Sequence, residues 1–156
     1  MALVKPLVIV DGDVQQLQDG DTPIGVSFVE LTNNNASPIV IGHVVYCNGA
    51  GTVDLARANA LGTAEVIGFV RDISIAAAAA GYIQTNGVLE ATTAQWDAVA
   101  GTTGGLTAGV VYYLDPSTAG FITETAPTSA GQYVIRVGKA LSSTELEIAI
   151  TEPIKL

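Results

Sequence analysis

The chain has one histidine, His43, and one cysteine, Cys47, so imidazole or thiol chemistry must start from these two. A hydrolytic triad needs an imidazole between a nucleophile and a carboxylate. No Gly-x-Ser-x-Gly sequence supplies the tight turn that presents such a serine. His43 lies inside Ile39–Tyr46 (IVIGHVVY), a continuous β-branched run, and is expected to be a structural strand residue with one face buried. Cys47 follows that run with no basic neighbour in sequence, the setting of a buried, inert thiol.

The triplets Asp11-Gly12-Asp13 and Asp19-Gly20-Asp21 offer oxygen ligands. Calcium needs six to eight oxygens at fixed loop positions, and the full Asp-x-Asp-x-Asp-Gly loop with its distant Glu is absent. Asp-Gly is a turn dipeptide, so the triplets read as turns. Gly101–Gly105 (GTTGG) is followed by no Lys-Ser/Thr pair and reads as a flexible loop leaving a helix, not a phosphate cradle. Trp96, Tyr112 and Tyr113 could stack on a sugar, but their helix and strand spacing reads as core. Glu145 and Glu147 alternate with Leu146 and Ile148, as on the solvent face of an edge strand. No two carboxylates are paired as acid and base. The sequence therefore assigns no catalytic, metal-binding or cofactor-binding residue, and no cofactor.

Composition narrows the class further. Of 156 residues, 49% are hydrophobic and 13% charged, about half the ~25% charge of ordinary domains. That excludes a disordered acidic tail and a charged coiled coil. Six basic against 15 acidic residues leave a net charge of −9, without the basic face that nucleic acid requires. No apolar run nears the ~18 residues of a membrane span, and MALVKPLVIVDGD is too short for a signal segment, so a soluble, non-secreted product is expected. Apolar excess with so few charges implies either a neutral polar surface or an oligomer.

The elements that must carry these residues are short strands punctuated by Gly, Asn, Asp and Pro. Ile24, Val26 and Phe28 alternate; Ile39–Tyr46, Glu65–Arg71, Val110–Asp115, Gln132–Leu141 and Glu145–Thr151 read as strands. Thr52–Leu55, Tyr82–Thr85 and Phe121–Thr123 are shorter candidates. Many short strands predict an all-β sandwich or barrel. One short helix is predicted near residues 93–100: Thr92 and Gln95 form a capping box, Trp96 and Val99 share a face, and Gly101 closes the end. Ala76–Ala80 reads as a tight connection packing small side chains. Gly42-x-Val44-x-Tyr46 matches Gly109-x-Val111-x-Tyr113 at an offset of 67, and Val70 matches Val137, which reads either as two degenerate copies of one strand-turn-strand unit or as a chance match of simple apolar strand patterns. Residues 1–21 differ in texture and are expected to form an extended arm ahead of a β domain at 22–156.

The arm sequence IVDGDVQQLQDGD resembles a phrase recurrent in structural proteins of tailed bacteriophages. The stretches GTVD (51–54), VIGFV (66–70), GVL (87–89), TTAQWDAV (92–99), GLTAG (105–109), YYLD (112–115), APT (126–128) and Val137–Ile150 also resemble β-rich phage virion modules. Those modules occur in head-fibre, capsid-decoration and tail-fibre-like proteins. The resemblance spans nearly the whole chain and implies a trimeric, non-enzymatic protein with no catalytic residues to carry over. Lacking a second receptor-binding domain or long repeat array, the chain fits a small capsid accessory better than a tail fibre. The expectation is a capsid decoration or head-fibre protein on the outside of the shell, part of the virion after synthesis in the bacterial cytoplasm. Its partners are then itself, as a homotrimer, and the major capsid protein or another virion protein, with no nucleic acid or membrane. Alternatives are a tail or tail-fibre component for host attachment and a glycan-binding module. Leu7, Val8, Ile9 and Val10 are the candidate attachment strand, with Val8 and Val10 on one face and Leu7 and Ile9 on the other, suited to joining a sheet edge.

Overall fold

The computed structural model describes Leu7–Val10 and Asp13–Gln16 as backbone, and residues 26–156 in full. The fold is all-β, with two short helices among the described residues. Strands β1 (Leu7–Val10) and β2 (Asp13–Gln16) pair antiparallel, Leu7 opposite Gln16 and Val10 opposite Asp13. This part of the expected arm is thus a hairpin rather than a single extended strand. The turn reading of Asp11-Gly12 and of Asp19-Gly20-Asp21, and the strand position of Ile24, lie outside the described residues.

The first layer is a closed barrel. Its strands are β3 (Phe28–Asn33), β5 (Val44–Gly49), β6 (Thr52–Leu55), β7 (Val66–Val70) and β9 (Ala80–Gln84). All barrel pairs are antiparallel except β3–β6, where Thr32 opposite Thr52 and Asn33 opposite Val53 close the ring in parallel. Between these strands lie β4 (Ile39–Val40), helix α1 (Leu61–Ala64) and β8 (Ser74–Ile75). β4 and β8 pair as a separate ribbon. Val45, Val53, Val70 and Ile83 pack with the ribbon's Ile39 and Ile75 in one apolar cluster.

The second layer is a five-stranded sheet in the order β10–β15–β14–β11–β12. Its strands are β10 (Gly87–Glu90), β11 (Val111–Leu114), β12 (Ile122–Thr123), β14 (Arg136–Ala140) and β15 (Glu145–Ile148). Helix α2 (Thr93–Ala100) follows β10. β13 (Tyr133–Val134) pairs with β16 (Ile154–Lys155) beside the sheet. The main core draws on both layers: Val44 and Phe69 from the barrel, Tyr112, Leu114, Val137 and Leu146 from the sheet, and Trp96 and Val99 from α2.

Several sequence expectations need correction. Ile39–Tyr46 is not one strand: Gly42 adopts φ +87°, a left-handed conformation that turns the chain and ends β4 before β5 begins. Gln132–Leu141 breaks at Ile135, so that Tyr133–Val134 pairs with β16 while Arg136–Ala140 joins the sheet. β15 is not an edge strand, since it lies between β10 and β14, although Glu147 does face solvent. Ala76–Ala80 is a tight connection, closed by Ala79 N–H donating to the Ala76 carbonyl (3.1 Å). Its alanines are mostly exposed rather than packed.

The repeat suggested by the sequence extends over five strands. β5 and β11 match at an offset of 67, and each carries a register shift at the same place, Val45/Tyr46 and Tyr112/Tyr113. Opposite these shifts stand Gly68 and Gly138. Through the pairings, β3 matches β10 at 60 (Phe28 to Val88), β6 matches β12 at 69 (Val53 to Ile122), β7 matches β14 at 70 (Phe69 to Lys139), and β9 matches β15 at 63 (Gln84 to Glu147). The turn before β5 recurs as well: His43 N–H donates to Val40 carbonyl (3.0 Å) as Val110 N–H does to Thr107 carbonyl (3.1 Å). The offset rises from 60 to 67 where the second unit inserts α2, and falls from 70 to 63 where the first inserts β8. Each unit thus carries one seven-residue insertion.

Candidate functional site

His43 sits in the turn after β4, not in a strand. Its Nδ1 accepts from the Val40 N–H (3.1 Å), and its ring lies 6.0 Å from the Phe121 ring. Burial holds its pKa below the ordinary imidazole value. An acceptor Nδ1 requires the neutral ring, so His43 works as a turn clip. Cys47 is exposed, against the expectation of a buried thiol. β5 runs on past Tyr46–Val66, its last pair with β7, and Cys47 loses cover on that side.

Trp96 and Tyr112 are fully buried, which bears out their core reading, and Tyr113 is half-buried. The Trp96 indole N–H donates to the Thr144 carbonyl (2.9 Å). The Tyr112 hydroxyl accepts from the Thr107 N–H (2.9 Å) and donates to Glu124 Oε1 (2.7 Å). Burial pushes the Tyr112 phenol up, while hydrogen bonds from Thr107 and then Tyr112 hold the Glu124 carboxyl down. The capping box of α2 is complete: Gln95 N–H donates to Thr92 Oγ1 (3.2 Å) and Thr92 N–H to Gln95 Oε1 (2.8 Å). Gly101 closes the helix at φ +64°.

The glycine-rich loop after α2 is clipped to the helix by one carboxylate. Asp97 accepts from Gly105 N–H (2.8 Å), Gly104 N–H (3.0 Å) and Thr102 Oγ1 (2.9 Å). The Gly105 bond leads in holding the Asp97 carboxyl below its usual range. Buried Asn33 donates to the Ser37, Ile75 and Ala76 carbonyls (3.0, 3.0 and 3.2 Å), and buried Gln84 to those of Asn86 and Val88 (2.9 and 3.0 Å). Among the described residues no three His, Cys, Asp or Glu side chains are grouped to hold a metal. No described helix is long and apolar enough to cross a membrane.

The unusual chemistry is on the surface. Phe28 and Tyr82 are exposed and meet edge to face at 5.3 Å, and the Arg71 guanidinium lies 4.8 Å over the Phe28 ring. Their equivalents in the second unit are Val88, Glu145 and Leu141, so this aromatic patch belongs to one unit alone. Beside it a hollow of about 330 Å³ is lined by Val26, Arg71, Gln84, Val88, Leu89 and Glu90. A second, apolar groove of about 290 Å³ runs between the β4–β8 ribbon and α2, lined by Val40, Ile41, Ile73, Ala94, Gln95 and Ala98. Ile73 stands 76% exposed at its rim. Sequence reasoning missed the Phe28–Arg71–Tyr82 patch and the exposed Ile73, because the patch is assembled only by pairing across distant strands and the groove only by packing of the ribbon on α2. Leu7, Val8, Ile9 and Val10 form β1, and their side chains lie outside the described residues.

Compared with known proteins, the chain matches no protein-family model and no curated protein.

Proposed function

We propose that this chain is a structural protein of a tailed-bacteriophage virion, a capsid decoration or head-fibre protein seated on the outside of the shell as a homotrimer. Its partners are further copies of itself and the major capsid protein or another virion protein. The resemblance of nearly the whole chain to phage virion modules motivates the reading. The geometric observation that carries it is the use of polar side chains: buried Asn33 and Gln84 donate only to main-chain carbonyls, and His43 and Asp97 tie down turns. These four groups are committed to stiffening the scaffold rather than to holding a substrate. The arm, with Leu7–Val10, is the segment through which copies join each other or the shell.

A tail component is the second reading, favoured by the exposed Phe28–Tyr82–Arg71 patch. Aromatic and Arg side chains are the usual anchors of protein interfaces, and a glycan could also stack there. Immunogold labelling of intact virions separates the readings. Gold on heads is the expected result, gold confined to tails supports the second reading, and unlabelled particles overturn both. Removing residues 1–21 should leave the β domain folded and abolish co-sedimentation with heads. A truncated protein that still saturates heads would place attachment in the domain.

A further inference from the structure

The apolar groove has an origin in the repeat. One wall is the α2 insertion, with Ala94, Gln95 and Ala98, and the other joins Ile73 of the β8 insertion to Val40 and Ile41 of the turn after β4. A seven-residue addition in each unit therefore meets the other across one surface feature. The lining holds no charged side chain, and Ile73 is the most exposed large apolar residue of the described chain. Apolar groups gathered this way on a protein with so little surface charge mark a contact site.

We infer that this groove seats the β1–β2 hairpin of a second copy of the chain. Among the described residues the hairpin is a sheet of only two strands, with no third strand paired to it. An isolated two-stranded ribbon is marginal in water and needs a surface to pack on. β1 reads LVIV, four uncharged apolar residues that suit an uncharged apolar groove. Residues 17–25 connect Gln16 to Val26 and can span at most about 36 Å when extended. Val26 lines the hollow that includes Glu90, and Glu90 also lines the extension of the groove past Ile41 and Ile73. The arm thus starts on the face that bears the groove. Among the described residues no side chain fills the groove and no third strand joins the ribbon, and exchange between copies fills both. Repeated head to tail, such a contact closes into a ring when the rotation permits. The inference rests on the oligomeric part of the function proposed above and is independent of where in a virion the protein sits.

Cross-linking in solution tests it without phage particles. In a Cys47→Ser background, one preparation carries Val8→Cys and a second, differently tagged, carries Ile73→Cys. On mixing and oxidation the expected product is a disulfide between the two tagged chains. Absence of that product overturns the inference. So does a double variant that links only within one chain, which would seat each hairpin in its own groove. Independently, Ile73→Asp alters a solvent-facing side chain and should keep the far-ultraviolet spectrum of the fold, while light scattering shows the mass falling to 15.9 kDa. A variant that keeps the wild-type mass, or a wild-type protein that is itself a single chain, is the contrary result. Gold labelling of virions can fail while these results hold, so the two readings fail separately.

Discussion

His43 shows how one residue serves the scaffold and carries a pH signature. The folded state needs Nδ1 unprotonated to accept the Val40 N–H, and burial further disfavours the charged ring. The unfolded chain titrates near the ordinary value of about 6.5. Above that value both states hold a neutral ring and the His43 contribution is fully present. As pH falls through it, the unfolded chain takes up the proton first, so stability drops until the lowered folded pKa is reached. His43→Asn keeps an oxygen acceptor in the turn and removes the titration. Urea midpoints between pH 5 and 7.5 should therefore slope for the wild type and flatten for the variant. Equal slopes would rule out His43 as the source.

At the scale of elements, the repeat makes a paired prediction. Gly68 and Gly138 occupy equivalent positions in β7 and β14, each opposite the register shift of its neighbour strand. A Cβ on Gly68 would run into the Gln84 carbonyl of β9, and one on Gly138 into the Glu147 carbonyl of β15. Gln84 and Glu147 are themselves equivalent. The obstacle is sheet backbone, which cannot yield as a flexible side chain would. Gly68→Ala and Gly138→Ala should each cost about 2–4 kcal/mol, in the range of severe core overpacking. Chemical denaturation measures both, and a loss below about 0.5 kcal/mol, the size of an ordinary surface change, would contradict the shared role.

At the scale of the molecule, two similar units need not behave as two domains. They are stitched by main-chain bonds: Val44 N–H to Gly120 carbonyl (2.9 Å), Gly120 N–H to Ala56 carbonyl (2.7 Å), and Ala58 N–H to Asp115 carbonyl (3.1 Å). α2 of the second unit packs Trp96 and Val99 against Gly42 of the first, where a Cβ would meet both side chains. With the main core drawn from both layers, neither unit can open without exposing the other. Thermal unfolding should be one transition, with Trp96 fluorescence and far-ultraviolet circular dichroism coincident. Two separated midpoints would show that the units melt independently.

Local physics made much of this legible in the sequence. The capping box, the Gly101 stop and the Trp96–Val99 face define α2 within a few residues of each other, and α2 is present as read. Strand periodicity located β6, β7, β11 and most of β14 and β15, because alternation and turn residues act over short spans. The 67-residue echo around Gly42 and Gly109 exposed one matched pair of strands. The tertiary structure decided what depends on distant partners. Whether Ile39–Tyr46 continues or turns depends on Gly42 finding Trp96 and Val99 against it. Whether Cys47 is covered depends on where β7 stops, and whether Glu145 and Glu147 lie at an edge depends on β10 arriving beside them. The remaining matched strands change offset at each insertion, so no single sequence shift could align them. The groove between those insertions exists only once the barrel has closed through β3 and β6 and the two units have packed, because its walls come from segments with no local reason to meet.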